Sequence, residues 1–148
     1  MIGTYCLIIE IKEKSTIKVG ALGIIKFEKG YYIYVGSAMN SLVSRIKRHM
    51  KDDKKLHWHI DYLLKNKNSR IDDIIFAISS KNIECKLSQY IKNLADNQVD
   101  NFGCSDCKCI SHLYYFKKIN EAKQSSIDGY KNENLDYKNL DYFNKINK

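Results

Sequence analysis

The sequence predicts a mixed α/β chain of the α+β kind, with a small antiparallel sheet flanked by helices. Three observations carry that reading. Residues 4–35 hold short runs of β-branched and aromatic residues separated by polar or glycine-bearing turns. Beyond residue 40, apolar residues recur at helical spacing in three separate stretches. Two more β-patterned runs, 71–78 and 111–116, are interleaved with those helices. At 148 residues the chain has the size of one domain and can bury a proper core.

The elements follow in order. Thr4 to Ile11 is apolar on both faces at its start, so it reads as a central strand. Lys12 to Thr16 is a polar turn, Ile17 to Val19 a short strand, and Gly20-Ala21-Leu22-Gly23 a bend. Ile24 to Glu28 and Tyr31 to Val35 are strands joined at Lys29-Gly30, a hairpin signal. This first part is an antiparallel sheet of three or four strands. Gly36-Ser37-Ala38 then reads as a tight small-residue turn that lets a ligand approach the backbone. Ser41 caps a helix whose buried stripe is Leu42, Ile46 and Met50, with Arg45 and His49 one turn apart beside it and Lys47, Arg48 and Lys51 outward. A second helix starts at His57, with Ile60, Leu63 and Leu64 as its core face. Asn82 is the candidate cap of a third, with the stripe Ile83, Leu87, Ile91 and Leu94 and Glu84 in its first turn. Residues 97–109 form a loop before a last strand at 111–116 that places His112, Tyr114 and Phe116 on one face. Residues 119–148 turn polar, rich in Asn, Lys, Asp and Tyr, and read as a peripheral tail or a peripheral amphipathic helix bearing Leu135, Tyr142, Phe143 and Ile146, beyond a domain of residues 1–118.

Charge narrows the function classes. Lys and Arg number 25 against 17 Asp and Glu, a net charge of +8 that favours a polyanionic partner, nucleic acid above all. The abundance of Lys, Asn, Ile and Tyr also fits a lysine-rich proteome. No leader pattern opens the chain and no apolar run approaches a membrane span, so no membrane partner is expected. Five cysteines, three of them crowded between 104 and 109, are poor material for a disulfide framework and point to a reducing cytoplasm. The end of the Tyr31–Val35 run, the small residues after it and the helix bearing Arg45 and His49 together suggest a phosphate site.

The order of motifs resembles a known family. Gly3-Thr4-Tyr5 on the first strand, Tyr34-Val35-Gly36 on a later one, Arg45 on the next helix and Glu84 on a later helix look like the GIY-YIG nuclease pattern. The stretches Lys55-Leu56-His57-Trp58-His59-Ile60-Asp61-Tyr62-Leu63 and Phe102-Gly103-Cys104-Ser105-Asp106-Cys107-Lys108-Cys109-Ile110-Ser111-His112-Leu113 are similar to signatures of a small uncharacterised prokaryotic branch of that superfamily. The resemblance covers roughly residues 3–116 and implies metal-dependent endonuclease hydrolysis of phosphodiester bonds, in DNA ahead of RNA, in repair or processing. It implies that Tyr5 or Tyr34 takes a proton from the attacking water or orients it, that Arg45 binds the scissile phosphate, and that Glu84 holds Mg2+ (or Mn2+). The alternative is a non-catalytic nucleic-acid-binding module that keeps the fold.

The chemistry suits these residue types. Arg offers planar bidentate donation to phosphate oxygens, and one carboxylate with several waters is a common way to hold magnesium. A free phenol titrates near 10, so His49 is an alternative base or a phosphate contact. Ser37, Arg48, Lys55, His57 and His59 are candidate nucleic-acid contacts along the same groove. The sequence departs from the pattern in the long Tyr5–Tyr34 interval, in Thr4 and Val35, and in Ser37, where some family nucleases carry a lysine. Taken singly, each residue has a plainer reading: core aromatics for the tyrosines, a solvated helix residue for Arg45, and a dipole-complementing acid for Glu84. Cys104, Cys107, Cys109 and His112 form a soft-ligand cluster that suits Zn2+, at spacing tighter than a usual zinc finger. The other readings are small buried cysteines beside a Ser105-Asp106 turn, or Asp106 and His112 at the cleft edge.

Overall fold

The computed structural model describes residues 2–103, 109 and 111–147. Its strands are β1 (Gly3–Ile11), β2 (Ser15–Lys18), β3 (Ile24–Phe27), β4 (Gly30–Ala38), β5 (Ser69–Ile78), β6 (Asn97–Gln98) and β7 (Leu113–Phe116). Its helices are α1 (Leu42–Met50), α2 (His59–Lys65), α3 (Glu84–Leu94), α4 (Ile119–Asn132) and α5 (Leu140–Ile146). The main sheet has the order β5-β1-β4-β7-β6, every neighbouring pair antiparallel, and β2 and β3 form a separate two-stranded ribbon. The chain is thus α+β.

β1 is the central strand that its apolar run predicts. Leu7 and Ile9 face one core with Leu42 and Ile46 of α1, Ile60 and Leu63 of α2, and Phe143 of α5. Cys6 and Ile8 face the other, with Leu87 and Ile91 of α3 and Ala122 and Tyr130 of α4. Three layers result, helix–sheet–helix, because a strand apolar on both faces must be covered on both.

Several expectations are corrected. β4 runs on through Gly36, Ser37 and Ala38, which pair with Tyr5, Thr4 and Gly3 rather than forming a turn. The small side chain at Gly36 is needed under the Tyr5 ring: a Cβ there would come 2.5 Å from Tyr5 Oη. In α1 the buried stripe is Leu42, Ile46 and His49, whereas Met50 is exposed. α2 starts at His59, because the Asp61 carboxylate accepts the backbone N–H groups of both His57 and Trp58 and so holds those residues ahead of the helix. α3 has Ile83 at its N-cap instead of Asn82, and Leu94 is exposed. His112 lies before β7, yet its carbonyl still accepts from Val35 N. The polar tail proves integral in part: α4 buries Ala122, Ser125, Ser126, Gly129 and Tyr130, and Tyr130 Oη meets Thr4 Oγ1 of β1 at 3.0 Å. Its helical pattern is hidden because small and hydroxyl residues make up most of the buried stripe. Among the described residues no helix is long and apolar enough to cross a membrane.

Candidate active site

The start of β1, the end of β4, the first turns of α1 and the N-terminus of α3 meet at one end of the sheet. There they enclose a cleft of about 340 Å³. Tyr5, Tyr34, Ser37, Arg45, Glu84 and His112 line it, with His57, Trp58 and His59 from the segment entering α2 along one wall. Register sets the first two: Tyr5 stands opposite Gly36 and Tyr34 opposite Leu7, so both tyrosines emerge on the same face, their ring centres 6.5 Å apart.

Tyr5 is fully buried, and its hydroxyl meets His49 Nε2 at 2.7 Å. Burial pushes the Tyr5 phenol well above its ordinary value, against the pull of the adjacent Arg45 guanidinium. Tyr34 is raised too, by burial first and then by Tyr5 and Glu84. Burial holds His49 down to about 3; Asp61 opposes that shift, while Lys54, Arg48 and Arg45 add to it. At neutral pH the two phenols, and the His49 imidazole behind Tyr5, are therefore neutral.

Two arginines one turn apart share one tryptophan. The Arg45 guanidinium carbon lies 4.6 Å and that of Arg48 4.3 Å from the centre of the Trp58 ring, a doubled cation–π arrangement. Arg48 is a bracing residue. It donates to both oxygens of Asp61 at 2.9 Å and to the Lys55 carbonyl at 3.0 Å. Burial pushes the Asp61 carboxyl up, but the Arg48 bond and the Trp58 and His57 N–H groups outweigh it and hold it below its usual range. Arg48 is thus committed inside the protein rather than facing outward for phosphate. Arg45 instead spends one N–H on the Ser37 carbonyl at 3.0 Å and lies in the cleft wall.

Glu84 closes the opposite side, accepting from Ser37 Oγ at 2.9 Å. A half-buried carboxylate in a polar, open cleft suits a hard cation that keeps most of its waters, so Glu84 fits Mg2+ or Mn2+. His59 Nδ1 accepts from Gly103 N at 2.9 Å, and burial lowers its pKa. Gly103 has a φ of 68°, and a Cβ there would lie 2.9 Å from Tyr34 Cε1, so glycine is required to close the loop over Tyr34.

The fold therefore brings Tyr5, Tyr34, Ser37, Arg45, His57, His59 and Glu84 to one cleft, with His49 directly behind Tyr5. It leaves the exposed Lys55 side chain outside the lining. Of the soft-ligand cluster, Cys104 and Cys107 lie outside the described residues, as do Ser105 and Asp106, while Cys109 is half-buried and His112 is buried. Two residues escaped the sequence reading. Trp58 serves the site and not only helix packing; its place between two histidines in a basic stretch was the available signal. Cys85 joins Cys109 and His112 through the fold alone, with no spacing motif to reveal it.

A family model described as a domain of unknown function, DUF123, matches residues 4–134. No curated protein and no solved structure matches the chain.

Proposed function

The chain belongs to the DUF123 family, whose description assigns no activity, and from the cleft itself we propose that the protein is a divalent-metal-dependent nuclease hydrolysing phosphodiester bonds, in DNA ahead of RNA. One observation carries the reading: Tyr5, Tyr34, Arg45 and Glu84, spread over two strands and two helices, line one cleft of about 340 Å³. The net charge of +8 and the Arg45 guanidinium in the cleft wall suit a polyanion. The GIY-YIG resemblance of the same residues points the same way.

The roles follow from the chemistry. A cation at Glu84, when bound, supplies charge to the phosphate oxygens and acidifies a coordinated water. Arg45, pinned by the Ser37 carbonyl and Trp58, donates to the non-bridging oxygens, where charge grows in the transition state. Tyr5 and Tyr34, held neutral by burial, position the attacking water by hydrogen bonding rather than as tyrosinates. The 2.7 Å hydrogen bond between the Tyr5 hydroxyl and His49 Nε2 fixes the phenol oxygen at the cleft wall. Ser37 orients the Glu84 carboxylate.

A second reading has one observation behind it. Burial pushes both phenols up, away from the tyrosinate form a phenol base needs, and Ser37 stands where some nucleases place a lysine, as in a binding module that has lost chemistry. Cleavage of a labelled panel of DNA and RNA structures in Mg2+ separates the two. The nuclease reading predicts cleavage by the wild type that Glu84→Gln abolishes. Salt-sensitive binding without cleavage in any metal replaces it with the binding module.

A further inference from the structure

We propose that Cys85, Cys109 and His112 form a binding site for a thiophilic divalent ion, zinc first among them, beside the Glu84 carboxylate and without using it as a ligand. One donor atom from each of the three residues lies within 4.8 Å of the other two. Around a tetrahedral zinc, with bonds of about 2.0–2.3 Å, donor atoms sit roughly 3.5–4 Å apart, so small rotamer changes close the site. Cys85 is exposed in the first turn of α3 and free of core packing, which leaves its side chain room for that adjustment. Two thiolates and an imidazole are a soft donor set that selects zinc or cobalt over magnesium.

A second observation supports the assignment. Ser88 Oγ meets His112 Nδ1 at 2.7 Å, both groups buried. Ser88 is one helical turn from Cys85, so one face of α3 supplies a thiolate and the hydroxyl that fixes the imidazole. Outer partners of this kind orient metal-bound histidines in general. These three are the ligands found among the described residues, and a tetrahedral ion takes a fourth donor beside them. The ion would tie residues 109 and 112 to the start of α3, the turn that carries Glu84. Cys85 is the residue after Glu84, so the metal would hold the segment presenting the proposed catalytic carboxylate.

The inference stands independently of the nuclease reading, since its readout is metal binding and not cleavage. The full chain, stripped with chelator and kept reduced, is titrated with Co2+ and followed by its thiolate-to-cobalt charge-transfer band; a carboxylate site gives no such band. One ion per chain is expected, displaced by Zn2+. Cys85→Ser should abolish the band while leaving circular dichroism unchanged, because that side chain is exposed. Ser88→Ala should weaken affinity by about 10- to 100-fold. The proposal is overturned if the wild type shows no charge-transfer band, or if Cys85→Ser binds cobalt with wild-type affinity and band.

Discussion

His49 shows how much one side chain can constrain a site. Its Nε2 holds Tyr5, while its Nδ1 is buried with no hydrogen-bond partner among the described residues. Protonating the ring therefore sacrifices solvation, which is why its pKa falls to about 3, with Lys54, Arg48 and Arg45 adding to the fall and Asp61 opposing it. The folded value lies below the unfolded one near 6.5, so the unfolded chain takes up the proton first as pH drops. Stability is flat above about pH 6.5 and falls below it, by up to about 1.4 kcal/mol per pH unit for this one group. His59 and His112, also held below their ordinary range by burial, add to the slope. Urea midpoints between about pH 5 and 7 should show that His49→Gln has a shallower acid slope than the wild type; equal slopes would contradict the assignment. Gly36 makes a second residue-scale prediction. A Cβ there meets the Tyr5 phenol, so Gly36→Ala should displace the ring from His49 and cost about 1–3 kcal/mol in chemical denaturation.

At the scale of elements, the turn into α2 depends on Asp61. Its fully buried carboxylate holds Arg48 and two backbone N–H groups at once. Asp61→Ala takes this partner from the two N–H groups, leaves Arg48 held by the Lys55 carbonyl, and loosens Trp58, which lies against Arg48 and Arg45. We expect a loss of about 3 kcal/mol in unfolding free energy, and weaker nucleic-acid binding in fluorescence anisotropy. Part of this local logic was legible: β1, β3 and β5 lie close to where their patterns put them, and Leu42, Ile46, Leu87 and Ile91 are buried as helical spacing predicts. The late start of α2 comes from its own Asp61, whose carboxylate caps the His57 and Trp58 N–H groups. The end of β4 and the burial of His49 are each set by a side chain from another element: Tyr5 over Gly36 and Tyr5 on His49. Local pattern cannot see such partners.

For the molecule as a whole, the face of the sheet bearing Cys6, Ile8, Ile33 and Val35 needs both α3 and α4. A chain ending at residue 118 loses the cover that Ala122 and Tyr130 give, and should lack a cooperative thermal transition. A chain ending at residue 134, the limit of the family match, should keep α4 and melt cooperatively at a lower temperature, having lost the α5 contact of Phe143 with Phe76. The sequence reading placed this region outside the domain because, Tyr130 apart, the buried stripe of α4 is built of Ala, Ser and Gly. The proposed catalytic residues were named through the order of four short motifs, and the fold does gather them. Cys85 was not, since no sequence spacing links it to Cys109 and His112. The claim that this gathering exists for phosphodiester hydrolysis is tested most directly by single-turnover cleavage with Arg45→Ala beside the wild type, substrate binding being measured in parallel. The cleft predicts a loss of about 100- to 1000-fold in the cleavage rate with folding intact. Cleavage by Arg45→Ala at the wild-type rate, or no cleavage by the wild type with any divalent metal, would contradict it.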